Sequence, residues 1–218
     1  IRNLEVRAHL DRGRMYPTTS AAFLKNVSRL IIEDSQFCLD ENVGDALEGK
    51  YLQENPCHAV GLHTSGDQND EQILRNVAVQ GFRYGFVFGE HVTAEHLYVH
   101  NCENAVCFHD STHLSVLNHV VAQHNRRILV ALDDGLYGNG ADEINVAFRN
   151  LNFEGGQTTG VPPWISHLKC GVYDPDNRLR GSVTWHEPWG KGVFPVEGAK
   201  NFKVRRFGEL GRDRLPAK

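Results

Sequence analysis

The sequence predicts an all-β chain folded as a right-handed parallel β-helix, a solenoid of about seven coils with surface loop insertions. Three segments between Leu74 and Asp134 carry one apolar pattern: hydrophobic residues at i and i+2, then seven positions on, then i+2 again. The second copy is shifted by 20 residues and the third by a further 23. A period of this length with two short alternations is typical of a solenoid, in which each repeat packs on its neighbours.

Each copy of the repeat ends in an acidic residue. The copies are Val77, Val79, Phe86, Phe88 and Glu90; Leu97, Val99, Val106, Phe108 and Asp110; and Val120, Ala122, Leu129, Ala131 and Asp133. Alternation with a period of two indicates strands joined by tight bends. A leucine-rich repeat would need a Leu-x-x-Leu-x-Leu pattern followed by Asn or Cys, which is missing. Asn3, Asn76 and Asn150 precede similar short strands, and Asn tolerates the left-handed dihedrals of such bends.

The 218 residues are predicted to form a single β-helix domain spanning 1–218, with 40% hydrophobic residues to fill its core. Because the chain begins with Ile1 and a strand-like segment starts at once, we expect a fragment or a processed chain. Stretches rich in Gly, Asp, Asn and Pro are predicted to be insertion loops on the binding side. They lie at about 42–58, 64–72, 133–145 and 155–169.

Composition excludes several classes of protein. A net charge of -4 argues against nucleic acid as a partner. No apolar run approaches the roughly 18 residues of a membrane helix, so we expect no membrane insertion. The five cysteines include no C-x-x-C pair, which predicts neither a disulfide framework nor a zinc site but reduced, mostly buried thiols.

The second strand of each repeat is apolar on both faces. The three examples are Phe86-Val87-Phe88, Val106-Cys107-Phe108 and Leu129-Val130-Ala131. A strand that is apolar throughout is covered on both sides, so something packs on the outside of the predicted rod. Either an insertion loop or another copy of the chain would serve, and an apolar stripe along a rod favours a homo-oligomer.

The acidic residues of the repeat are the strongest candidates for catalytic or metal-binding groups. In the predicted register Glu41, Glu90, Asp110 and Asp133 fall at one corner of successive coils, with His63 and His109 one place before. Carboxylates on adjacent rungs would lie about 5 Å apart. Three interpretations remain open: a glycosidase pair, a calcium site, or ordinary turn residues pointing into water.

Histidine is enriched in the same region. His96 and His119 are in register, as are Gln80, His100 and Gln123, and such a ladder is explained by a stack of turns alone. His109 beside Asp110 would suit acid/base chemistry near neutral pH. Because no H-E-x-x-H motif is present, we expect no metal or other cofactor apart from the calcium alternative. The catalytic candidates are Glu90, Asp110, Asp133 and His109.

Three tryptophans, Trp164, Trp185 and Trp189, follow the repeat region. Their rings are candidates for stacking on sugars, and filling the end of the core is an equally weighted structural interpretation. Arg126 and Arg127 are added as candidate substrate-binding residues, since they lie one coil beyond Asn104.

The segments Tyr84-Gly85-Phe86-Val87-Phe88-Gly89-Glu90-His91 and Asn101-Cys102-Glu103-Asn104-Ala105-Val106-Cys107-Phe108-His109-Asp110-Ser111 resemble the coil pattern of the pectate-lyase-like β-helix superfamily. Within it, the chain is most similar in style to bacteriophage tailspike and appendage proteins. The resemblance implies a homotrimer, on a virion or extracellular, that binds bacterial surface polysaccharide or teichoic acid and often cleaves it. It covers most of the chain as a coil pattern and supplies no catalytic motif.

Three functional hypotheses follow, and they leave open whether the chain is an enzyme. The first is a glycan-binding β-helix that also hydrolyses its ligand, with Asp110 as general acid and Glu90 or Asp133 as its partner. The second is a non-enzymatic structural or adhesive rod. The third is a secreted polysaccharide lyase with calcium on its carboxylates and Arg126 or Arg127 as base.

Overall fold

The computed structural model describes residues 1–8, 18–24, 27–39, 58–64, 71–108, 112–131, 143–154, 170–186 and 196–206. Within these ranges the chain forms 15 β-strands and no helix, which confirms the all-β prediction. The described residues accordingly include no helix with the length and apolarity needed to cross a lipid bilayer.

The strands alternate between two parallel sheets. The first sheet has eight strands in the order β1, β3, β5, β7, β9, β11, β13, β15, and the second has seven in the order β14, β12, β10, β8, β6, β4, β2. The strands of the first sheet are β1 Glu5–Ala8, β3 Leu30–Leu39, β5 Gln72–Gln80, β7 Val92–His100, β9 Thr112–Gln123, β11 Ile144–Glu154, β13 Leu179–His186 and β15 Phe202–Arg206. Those of the second are β2 Thr18–Phe23, β4 His58–His63, β6 Tyr84–Phe88, β8 Asn104–Phe108, β10 Arg127–Ala131, β12 Cys170–Tyr173 and β14 Val196–Glu197.

The register between strands confirms the sequence repeat. In the first sheet Leu97 pairs with Val77 on one side and with Val120 on the other. In the second sheet Phe108 pairs with Phe88 and with Ala131. Residues about 20 apart in sequence are therefore neighbours in space. The described strands alternate between the sheets as seven consecutive pairs, and β15 follows the last pair.

The long strands of the first sheet bend in the middle. In β5, Arg75 and Asn76 are both exposed while Leu74 and Val77 on either side are buried. Asn76 has a left-handed φ of 53°, which interrupts the alternation and turns two consecutive side chains outward. The equivalent positions on five strands of this sheet, and the one just before β1, have φ between 50° and 56°; they are occupied by Asn3, Asp34, Asn76, His96, His119 and Asn150.

The prediction that asparagine takes left-handed dihedrals is thus confirmed at Asn3, Asn76 and Asn150. The predicted place of the bend was wrong for Asn76 and Asn150, because each lies inside a continuous strand and not between two strands. The same bend also accepts Asp and His, whose short polar or planar side chains enter the left-handed region more readily than most residues.

The core lies between the two sheets. It is filled by apolar side chains from both sheets, including Phe86, Phe88, Phe108 and Phe148, all 0% exposed. A second apolar cluster occupies the opposite face of the second sheet and contains Val60, Val87, Cys107 and Val130.

The apolar outer face of the second sheet is covered, as predicted. Val60, Val87, Cys107 and Val130 are only 0 to 2% exposed, and the half-buried Tyr84 and Tyr173 pack against them. Since this burial is already present in a single chain, the stripe does not require a second copy. The homotrimer therefore stays a prediction that the stripe does not support.

Two alignments made from sequence were wrong. The match of Glu41 to Glu90 requires residues 37–39 to be a strand of the second sheet, as residues 86–88 are, but Phe37 pairs with Val79 and therefore lies in the second half of β3. The register that matched Glu41 to Glu90 fails for this reason. His63 pairs with Val87, which places it two positions earlier than the predicted alignment with His109.

The predicted insertions fall mainly outside the described residues. Insertion 155–169 does so entirely. The other three overlap described strands by one or two residues, because β4 begins at His58, β5 at Gln72 and β11 at Ile144.

Candidate functional site

Glu90 is the one member of the predicted acidic ladder that the structure describes. It follows β6 at the corner that leads into β7, and its side chain is 29% exposed. One carboxylate oxygen lies 3.7 Å from Nδ1 of His91. The backbone carbonyl of Glu90 accepts a hydrogen bond of 3.1 Å from Nε2 of the buried Gln72. The backbone at this corner is therefore anchored from inside, while the carboxylate reaches the surface.

The other proposed catalytic residues, Asp110, Asp133 and His109, lie outside the described residues. The strands that precede them are described, and Phe108 is in register with both Phe88 and Ala131. The three rungs that carry the predicted ladder are thus consecutive neighbours in the second sheet.

Arg126 belongs to a row of charges at the opposite end of the second sheet. Its Nη1 lies 3.5 Å from one oxygen of Glu103, and Nε of Arg83 lies 3.2 Å from the other oxygen. The Glu103 side chain is only 15% exposed. Because Arg126 precedes β10 whereas Glu90 follows β6, the two ends are separated by roughly 20 Å, at about 3.3 Å per residue. The structure does not bring Arg126 to the acidic corner.

Arg127 is also engaged within the fold. Its guanidinium lies 4.2 Å from the centre of the Tyr173 ring, a cation–π contact. Its Nη1 donates a hydrogen bond of 3.3 Å to Oδ1 of Asn104 on the neighbouring rung. These contacts give Arg127 a structural role on the outer face of the second sheet, at the end away from Glu90.

Of the three tryptophans, the structure describes Trp185 alone. Trp185 is 5% exposed and belongs to the core between the sheets, where β13 pairs with β11 and β15. Its ring is therefore not presented to a sugar, and the structural interpretation applies. Trp164 and Trp189 lie outside the described residues.

A polar face at the ends of β7 and β9 is the arrangement that sequence reasoning did not identify as a site. It consists of Tyr98 and His100 on β7, Gln123 at the end of β9, and His124 directly after it. The hydroxyl of Tyr98, which is 37% exposed, donates a hydrogen bond of 2.8 Å to Oε1 of Gln123. Nε2 of His100 lies 3.2 Å from Nδ1 of His124. The predicted register of Gln80, His100 and Gln123 is confirmed, and that signal could have led to this face.

A second group lies at the central bend of the same two strands, and we call it the bend cluster: Glu95, His96 and His119. All three side chains are exposed. The two imidazole rings stack with their centroids 5.1 Å apart and their planes at 17°. The predicted stacking of His96 on His119 is therefore confirmed.

Three of the cysteines in the described ranges are buried thiols. The four described cysteines are free, and Cys102, Cys107 and Cys170 are buried. Burial raises the pKa of the Cys102 thiol to about 12 and also raises the pKa of Cys170. Only the thiolate is a good nucleophile or metal ligand, so these protonated thiols are poor candidates for either role.

Comparison with protein families, with characterised proteins and with solved structures found no match to this chain. Its architecture and the groups on its surface are therefore the basis for a functional proposal.

Proposed function

We propose that this chain is a polysaccharide-binding protein, a right-handed parallel β-helix in the style of the pectate-lyase-like tailspike proteins. It would act as a homotrimer on a virion or outside the cell. The observation that carries the proposal is the polar face of Tyr98, His100, Gln123 and His124, aligned on neighbouring rungs of a parallel sheet. Parallel crossovers are right-handed in about 98% of cases, which supports the proposed handedness.

The chemistry of this face suits a sugar polymer. Sugar hydroxyl groups both donate and accept hydrogen bonds, and the Gln amide, the imidazoles and the Tyr hydroxyl offer both functions. The Tyr98 ring adds an apolar surface beside its polar tip, which matches the mixed character of a sugar ring. Because neighbouring rungs lie about 4.8 Å apart, the face presents these groups at a regular spacing to a repeating ligand.

Hydrolysis is the catalytic part of the proposal. Asp110 would act as general acid with Glu90 or Asp133 as its partner, and His109 would assist proton transfer. It is supported by the adjacency of the three rungs and by the partly exposed carboxylate of Glu90. Carboxylates on adjacent rungs match the close spacing, about 5 Å, of retaining glycosidases.

The arginine contacts argue against the lyase alternative. A lyase would need Arg126 or Arg127 beside the acidic corner, and both are held at the other end of the second sheet. No calcium-dependent lyase step is therefore proposed.

Binding is tested by titrating purified bacterial surface polysaccharides and teichoic acids into the protein in a calorimeter. Tyr98→Ala should weaken binding of the recognised glycan at least about tenfold if the ring is a central contact. Lys203→Ala, an exposed substitution on β15, is the matched control and should leave affinity unchanged. The absence of binding to every polymer, or equal affinity in both variants, would overturn the proposed face.

Cleavage is tested separately by following new reducing ends and the absorbance of an unsaturated sugar. Hydrolysis should produce new reducing ends without the absorbance of an unsaturated sugar. Asp110→Asn should abolish this cleavage while glycan binding persists. Binding without any cleavage would assign the chain to the adhesive, non-enzymatic alternative.

The oligomeric state is tested by light scattering, which should give about three times the chain mass of 24.5 kDa for a trimer. A monomer at micromolar concentration would refute the proposed homotrimer.

A further inference from the structure

We infer that the bend cluster of Glu95, His96 and His119 is a binding site for a divalent transition-metal ion, with zinc as the principal candidate. One ligand atom from each residue is available, and these atoms all lie within 4.8 Å of one another. The site is separate from the proposed catalytic corner, and it does not depend on glycan binding.

The fold creates this cluster through its bends. His96 and His119 occupy the left-handed position of β7 and β9, with φ of 56° and 53°. That conformation turns two consecutive side chains outward, so Glu95 and His96 are both exposed on the same surface. His119, on the next rung, then stacks on His96. A strictly alternating strand would have directed Glu95 and His96 to opposite faces.

Other polar side chains near the same bend form hydrogen bonds with one another, whereas the described residues of the bend cluster do not. Nδ2 of Asn76 donates a hydrogen bond of 2.9 Å to Oδ1 of Asp34. Nδ2 of Asn150 donates one of 2.9 Å to Oδ1 of Asn118, the residue before His119. For His96 and His119 the described part of the chain shows ring stacking and no hydrogen bond between the rings. Their ring nitrogens are therefore available to a ligand.

The carboxylate of Glu95 is available for the same reason. Arg75, its in-register neighbour on β5, directs its guanidinium to Glu33 instead, at 2.9 Å. Within the described residues Glu95 forms no ion pair. The Glu95 carboxylate therefore lies, without a cationic partner among the described residues, beside two imidazole rings that stack without a hydrogen bond between them. A bound cation would stabilise this arrangement.

The donor set selects the ion. Two imidazole nitrogens and one carboxylate oxygen are the ligands of a three-residue zinc site, which keeps one position open for water. Zinc bonds of about 2.0 to 2.2 Å place the donors of one ion roughly 3.4 Å apart. The exposed side chains would have to close by about 1.4 Å at most to reach this geometry, which rotations about their own bonds permit. Calcium prefers six to eight oxygen ligands, so it does not match this cluster.

The chain itself supplies conservative variants for the test. Asparagine occupies the same bend on neighbouring rungs, at Asn76 and Asn150, so His96→Asn and His119→Asn keep a residue suited to the left-handed conformation. His186→Asn is the matched control, because His186 lies outside the bend cluster and the polar face and is in register with Asn152, so asparagine occupies the same position on the neighbouring rung.

The experiment is a calorimetric titration of ZnCl₂ into chelator-treated protein, with circular dichroism to verify folding of each variant. The wild type should bind one equivalent of zinc, and His96→Asn and His119→Asn should each weaken it at least about tenfold. Glu95→Gln should also weaken zinc binding, and His186→Asn should not. Cobalt in place of zinc should give the visible bands of a four- or five-coordinate site. The absence of a saturable zinc equivalent in the wild type, or an equal loss of affinity in His186→Asn, would overturn the assignment. Unchanged affinity in the folded His96→Asn and His119→Asn proteins would do the same.

Discussion

Phe88 and Phe108, which are 20 residues apart in the chain, lie side by side in register with their ring centroids 5.7 Å apart. Both rings are 0% exposed. Each ring is thus covered partly by the equivalent ring of the next rung, so the stability of one repeat depends on the presence of its neighbour.

Replacement of Phe108 by alanine should therefore strongly lower the free energy of unfolding. It removes an aromatic side chain from the centre of the core and leaves a cavity between two rungs, which typically costs about 3 to 5 kcal/mol. Urea denaturation followed by circular dichroism measures the change in the free energy of unfolding. Ile31→Ala, at a side chain that is 45% exposed, should change it by less than about 1 kcal/mol. Similar effects of both substitutions would contradict the stacked core.

The register of the central rungs was predictable because inward-facing residues alternate and recur at shifts of 20 and 23 residues. A slip of one residue would turn the inward-facing phenylalanines of one rung out of the core between the sheets, so the hydrophobic pattern specifies the pairing of Phe88 with Phe108. The bend inside β5 was not predictable from this pattern, because Leu74-Arg75-Asn76-Val77 interrupts the alternation just as a turn between two strands would.

The same bend explains the misplaced Phe37. The second half of a bent strand and a strand of the other sheet have the same apolar alternation, so pattern alone could not separate Phe37 from Phe86. For the candidate site, the stacking of His96 and His119 followed directly from the repeat. The addition of Glu95 did not, because it depends on the left-handed φ of His96, which turns both side chains outward.

The left-handed bend itself can be tested at Asn76. Both Asn76→Gly and Asn76→Val remove the hydrogen bond to Asp34, so their difference isolates the backbone conformation. Valine is β-branched and should be less stable than glycine here by about 1 to 2 kcal/mol. Thermal and urea unfolding of the two variants provide the comparison. Equal stability would show that residue 76 does not hold the left-handed conformation in solution.

Gly85 is required by close packing at the start of β6. A Cβ atom at this position would lie 2.6 Å from the carbonyl oxygen of Ala105 and 2.9 Å from Cγ2 of Val99. The backbone of β8 cannot move without disturbing its own pairing, so Gly85→Ala should destabilise the fold by about 1 to 3 kcal/mol. Unfolding midpoints in urea measure this cost. A stability equal to that of the wild type would contradict the close approach of the two rungs.

The row formed by Arg83, Glu103 and Arg126 should respond to salt. Glu103→Gln removes the carboxylate between two guanidinium groups, and the partly buried setting suggests a cost of roughly 1 kcal/mol at low ionic strength. In 1 M NaCl, where the Debye length falls to about 3 Å, the cost should decrease. Glu5→Gln, in the exposed pair with Arg7, is the control and should have little effect at either ionic strength. A cost that does not vary with salt would assign Glu103 a role in packing rather than in charge pairing.

The buried thiol of Cys102 should resist modification until the protein unfolds. Because burial raises its pKa from the ordinary value of 9.0 to about 12, the folded protein holds this proton more tightly than the unfolded chain. Its contribution to stability is therefore complete below pH 9 and is lost as the pH rises towards 12. At pH 8, iodoacetamide should label the half-buried Cys38 first and Cys102 only in denaturant, as measured by mass spectrometry of the peptides. Equal labelling rates of the two cysteines in the native protein would show that Cys102 is accessible, and the rung that contains it would then open readily.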